Sequence, residues 1–165
     1  TGTPIGKLVI NDVGPRIPAA GLQRVADYVS QVITFESIEK MERFLRTIAA
    51  TFGNLTDEQW RHMTAHSARQ LENGRYTFAY DPGIAENFKM LDLKDIDLWP
   101  LWDAVQCPTL VLRGQYSDVL DHADAVTMTE RGPKAKLIEF PGMGHAPALM
   151  ADDQIAVVRD WLLAD

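Results

Sequence analysis

Two apolar runs late in the chain, Thr109-Leu110-Val111-Leu112-Arg113-Gly114 and Lys136-Leu137-Ile138-Glu139-Phe140, each lead into a loop that carries one titratable residue, Asp118 in the first and His145 in the second. Short, nearly continuous apolar runs bounded by turn residues are the pattern of strands buried on both faces, as in a parallel sheet. Ligands of open parallel sheets sit outside the carboxyl ends of the strands, so Asp118 and His145 are expected to meet at one functional edge. Such a pair is two thirds of a hydrolytic triad.

The rest of the chain is read around that sheet. Leu8-Val9-Ile10 is a further apolar, β-branched run, closed by Asn11-Asp12-Val13-Gly14-Pro15. Between residues 16 and 98 the spacing of apolar residues is mostly three and four, which predicts helices. Leu22, Val25, Tyr28 and Val29 form one stripe. Ser37 is the expected N-cap of a second helix, with Ile38, Met41, Phe44, Leu45, Ile48, Ala49 and Phe52 on one side and Gly53 as its stop. Thr56 and Gln59 fit a capping box at the start of a third helix, carrying Trp60, Met63, Ser67 and Leu71 as far as Asn73-Gly74. Tyr76, Phe78 and Tyr80 alternate, and a Leu- and Trp-rich segment runs from Ile84 to Trp102. After Thr109 the order strand, helix (121–131), strand, helix (from an Asp152 cap) predicts right-handed crossovers. Ile155, Val158, Trp161 and Leu162 are the expected packing stripe of the last helix.

The 165 residues, 46% of them apolar, allow one sizeable core, and a net charge of −7 without any long basic run argues against nucleic acid as a partner. Cys107 is the single cysteine, which rules out an internal disulfide and suits the cytoplasm. No stretch approaches the roughly 20 apolar residues that span a bilayer, so no membrane partner is expected. The chain opens on Thr1 and enters a strand almost at once, which reads as a truncation.

Taken in order, Leu8 to Pro15, Tyr80-Asp81-Pro82, Cys107 to Gly114, Ser117-Asp118 and Gly142-Met143-Gly144-His145 resemble the carboxyl-terminal half of an α/β-hydrolase-fold protein of the esterase and lactonase-like branch. The resemblance implies three parallel strands with flanking helices plus an inserted helical cap. Residues 1–15 would be a core strand and loop, 16–98 the cap, and 99–165 the carboxyl-terminal core. It makes Asp118 the triad acid and His145 the triad base. Asp12, just beyond another strand end, is the rival acid, and its plainer role is to hold its own turn. Val119 is the candidate wall of a substrate pocket. The nucleophile of the fold sits on a G-x-S-x-G elbow, and none of Ser30, Ser37, Ser67 and Ser117 has glycine at both flanking positions.

The implied activity is hydrolysis of a carboxylic ester, thioester or lactone through an acyl-enzyme, without a cofactor, on a small-molecule substrate. The isolated chain would be nearly inert. Alternatives are a noncatalytic interaction module on the same scaffold, or dehalogenase-type or carbon–carbon bond chemistry. With its first strand open on one side, the chain is expected to associate through residues 8–10, with its missing amino-terminal half or with a copy of itself. His62 and His66 share the spacing of two zinc ligands, but Met63 stands where the motif needs Glu, so no metal is expected. Asp118, Asp121, His122 and Asp124 look like a cation cluster and are read instead as acidic residues at a helix start.

Overall fold

The computed structural model describes residues 5–29, 31–81, 83, 84, 86 and 94–164. They form two compact units. One comprises the chain up to Pro18, Thr51–Gly53 and the chain from Asp95 onward; the other comprises Ala19–Ala50 and Asn54–Lys94.

In the first unit, β1 (Leu8–Asn11), β7 (Thr109–Gly114) and β8 (Lys136–Phe140) make a parallel sheet in the order β1-β7-β8. β1 registers Leu8 with Thr109, and β7 registers Leu110 with Lys136. All six residues of β7 are buried because both faces of the central strand are covered. Leu110 and Leu112 pack with Phe140, Val157, Val158 and Trp161 on one side. Val111 packs with Trp102, Leu120, Ala125 and Met128 on the other. Each fully buried aliphatic side chain contributes about 1.5–3 kcal/mol, so this strand is the energetic centre of the unit.

The helices around it are α4 (Trp99–Asp103), α5 (His122–Glu130) and α6 (Asp152–Leu163). Asp121 caps α5 by accepting from Ala123 N at 2.8 Å. The N-cap of α6 is Ala151, without a side-chain bond, rather than the expected Asp152. Ile155 and Leu162 of the expected stripe are exposed, at 46% and 51%, and Val157 packs in the core beside Val158 and Trp161. Two short strands, β2 (Arg16–Ile17) and β6 (Ile96–Asp97), pair antiparallel where the chain leaves and re-enters this unit.

The second unit holds α1 (Ala19–Val29), α2 (Ile38–Ile48) and α3 (Asp57–Ser67). Ser37 caps α2, and Thr56 with Gln59 forms the complete capping box of α3. The mostly helical expectation for this region is modified by an antiparallel sheet of order β3-β5-β4, built from β3 (Thr34–Phe35), β5 (Tyr76–Phe78, within the alternating aromatic run) and β4 (Ala68–Gln70). α3 therefore stops at Ser67 instead of running on past Leu71. The Asn73-Gly74 turn returns the chain so that Ala68 pairs with Phe78, and ladder bonds outweigh the helical spacing of Leu71. α2 likewise ends at Ile48, and Phe52 lies beyond it. Of the Leu- and Trp-rich segment, residues 85 and 87–93 lie outside the described residues, as does Pro82 of the Tyr80-Asp81-Pro82 motif. Among the described residues no helix is long and apolar enough to cross a membrane.

Candidate active site

β1 ends at Asn11, and the next residue, Asp12, adopts the left-handed region at φ 59°. Asp and Asn are the non-glycine residues that accept this conformation most readily, because their short side chains bond locally. The turn aims the Asp12 carboxylate inward, where it is fully buried. Burying a carboxylate is costly unless donors meet it. Gly114 N, at the end of β7, donates to Oδ1 at 3.0 Å, and His145 Nδ1 lies 3.1 Å from Oδ2.

The same ring nitrogen lies 3.0 Å from the Asp12 backbone carbonyl. A carbonyl only accepts, so Nδ1 must carry the proton and donate to the carbonyl and to Oδ2 of Asp12. Neutral imidazole then has its lone pair on Nε2, the state a general base requires. The His145 side chain is 27% exposed, against 0% for Asp12, so the anchor is dry while the ring reaches the surface.

The structure sets Asp12, the rival candidate, against His145 Nδ1 where the sequence put Asp118. Asp118 is exposed in the loop after β7, and that loop is organised differently. Buried Arg113 donates to Leu120 O at 2.8 Å, to Gln115 O at 3.1 Å and to Glu139 Oε2 at 2.6 Å. Ser117 Oγ accepts from Val119 N and Leu120 N. Val119, the candidate pocket wall, is buried, with 6% of its surface exposed.

Glycine at 114 is required by a close approach. A Cβ there would stand 2.3 Å from Gly144 O, so any side chain would push the β7 end away from the histidine loop. Bonds from Gln115 N to Phe140 O and from Tyr116 N to Met143 O hold the two loops together.

The residues at the start of α5 make separate contacts: Asp121 caps the helix, Asp124 pairs with Arg16 at 2.8 Å, and His122 pairs with Glu139 at 3.0 Å. Burial opposes ionisation of Glu139, but the hydrogen bonds from His122 and Arg113 outweigh it and hold this carboxyl below its usual range. His62 and His66 lie close on α3, with ring centroids 4.1 Å apart and ring planes tilted by 33°, and His66 Nδ1 bonds the carbonyl of His62 at 2.8 Å. Among the described residues no group of three or more His, Cys, Asp and Glu side chains is placed to hold a metal.

No protein-family model matches the chain. It is similar to the 3-hydroxybutyrate-oligomer hydrolase of Cupriavidus necator, with 32% identity over 167 residues, covering 96% of this chain and 57% of that protein. Among solved structures it is similar to an α/β hydrolase from Novosphingobium aromaticivorans, at 35% identity and TM-score 0.83, covering 96% of this chain and 56% of that one. A putative hydrolase from Rickettsia typhi superposes with TM-score 0.87 at 30% identity, covering 96% of this chain and 53% of that one. The chain thus spans about half the length of each of these relatives. With its parallel sheet, flanking helices and inserted second unit, it carries a partial α/β-hydrolase fold.

Proposed function

We propose that this chain supplies the base and acid of a hydrolase acting on a carboxylic ester, thioester or lactone, with His145 as general base and Asp12 as its acid. The observation that carries the reading is the double acceptance of His145 Nδ1 by Asp12, which sets the tautomer and leaves Nε2 as the proton acceptor. The relative named as a 3-hydroxybutyrate-oligomer hydrolase favours a short oligoester among these substrates.

In this mechanism Nε2 takes the proton of a serine hydroxyl as its oxygen attacks the ester carbonyl. The buried Asp12 carboxylate stabilises the imidazolium that forms. The proton then passes to the leaving alkoxide, and a water activated in the same way releases the acid. The nucleophile and the oxyanion-hole amides come from sequence outside this chain.

Further strands of such a fold would add beside β1, which among the described residues lies at the edge of its sheet and whose four residues are all partly exposed. An apolar edge with unpaired amides and carbonyls is a template for such pairing.

The test is hydrolysis of p-nitrophenyl butyrate and of the 3-hydroxybutyrate dimer by the longer protein that includes the nucleophile. His145→Ala should lower turnover by a factor on the order of 10⁶. Equal turnover in the variant and the parent would remove the enzymatic reading.

A further inference from the structure

The two amides that bracket His145 both point at one short segment. Gly144 N donates to Thr51 O at 2.8 Å, and Ala148 N donates to Phe52 O at 3.2 Å. From the other side, Asn11 Nδ2 donates to Pro147 O at 3.0 Å. The loop that presents the imidazole is therefore gripped by consecutive carbonyls of residues 51 and 52 and by the residue preceding Asp12.

The fit leaves no slack. A Cβ on Gly144 would lie 2.8 Å from Thr51 Oγ1 and 2.9 Å from Thr51 Cβ. Gly53 holds φ +124°, a conformation closed to ordinary side chains, and a Cβ there would lie 3.1 Å from Met143 Cε. Met143 is in turn bonded through its sulfur to Nε2 of buried Gln154 at 3.1 Å. Although Thr51–Gly53 links α2 to α3 in sequence, it clusters with the unit that holds the sheet.

We infer that Thr51–Gly53 is a positioning element for the His145 imidazole, keeping Nδ1 in register with the backbone carbonyl and Oδ2 of Asp12. The inference rests on the reading of His145 as general base. Nδ1 has to meet two acceptors at about 3 Å at once, and misplacing a reacting group by about 1 Å can cost a factor of about 10². Two backbone bonds flanking the residue restrain the loop on both sides. Because they are made by main-chain carbonyls, the sequence requirement falls on Gly53 and Gly144 and not on a polar side chain.

The test is nitrogen-15 and proton NMR of the imidazoles in this chain, which has four histidines. Gly53→Ala strains the segment, and Ala148→Pro deletes the donor to Phe52 O. Both should speed solvent exchange of the His145 Nδ1 proton by about tenfold, the loss of roughly one net hydrogen bond. Amide signals of β7 and β8 should stay in place. An unchanged His145 signal in both variants would overturn the inference. So would collapse of the β7 and β8 signals in both, because the segment would then support the whole unit and not the ring. Failure of the catalytic reading is a different result: hydrolysis indifferent to His145→Ala, whatever the NMR shows.

Discussion

The loops that follow β1 and β7 place Asp12 and Asp118 just beyond the carboxyl ends of two strands of the same sheet, and the fold treats the two residues differently. Asp12 is fully buried, sits at φ 59°, and is met by Gly114 N and His145 Nδ1. Asp118 is exposed, on a loop whose order comes from Arg113 and the Ser117 hydroxyl. The difference teaches that being at a strand end makes an aspartate a candidate only. Burial together with a convergent donor set selects the partner of the histidine.

The sharpest way to break the comparison is a pair of substitutions in the longer, nucleophile-bearing protein. Asp12→Asn should reduce turnover of p-nitrophenyl butyrate by about 10⁴, and Asp118→Asn by less than about tenfold, by analogy with loss of a triad carboxylate elsewhere. A reversed order would return the acid role to the β7 loop.

Arg113→Met attacks the other loop. It removes bonds from a buried cation to Leu120 O, Gln115 O and Glu139, and should cost about 1.5–3 kcal/mol in urea unfolding. The NMR signature of the Asp12–His145 bond should persist in that variant. Its loss would mean that the two loops form one unit.

Gly114→Ala joins the two regions, because its Cβ would collide with Gly144 O. An overpacking cost of about 1–3 kcal/mol is expected, read from the same unfolding curves. The Nδ1 proton of His145 should exchange faster, since Asp12 loses its alignment with Gly114 N.

The smallest effect is a pH dependence carried by Glu139 of β8, which Arg113 of β7 and His122 of α5 meet. The folded-state pKa of Glu139 is lowered, so its stabilisation is fully present above the unfolded value of about 4.3 and is lost as pH falls through the folded value. In Glu139→Gln the acid limb of unfolding free energy against pH should be shallower below about pH 4.3. An identical limb in both proteins would show that the Arg113–His122–Glu139 contacts carry no net charge coupling.

Local patterns explain how much could be read in advance. Ser37, Thr56 with Gln59, and the apolar runs of β1, β7 and β8 act through neighbours in sequence or through simple burial, so their spacing was sufficient. β4 was hidden because Ala68–Gln70 continues the polar end of a helix, and only pairing with β5 makes it a strand. The grip of Thr51 and Phe52 on the histidine loop was hidden too, since main-chain carbonyls leave no side-chain signature. The signal for Asp12 was present in part: Asn-Asp before Val-Gly-Pro is a left-handed turn pattern at a strand end.

The sequence by itself determined that a parallel sheet would present an aspartate-bearing loop and a histidine-bearing loop at one edge, because hydrophobic period and turn chemistry are local properties. Which aspartate the ring binds was decided only in three dimensions. The approach of Gly114 to Gly144 and the register of β1 on β7 bring the Asp12 turn beside His145. Hydrogen bonds fall off within a fraction of an ångström, so that choice rests on distances that no spacing along the chain can encode.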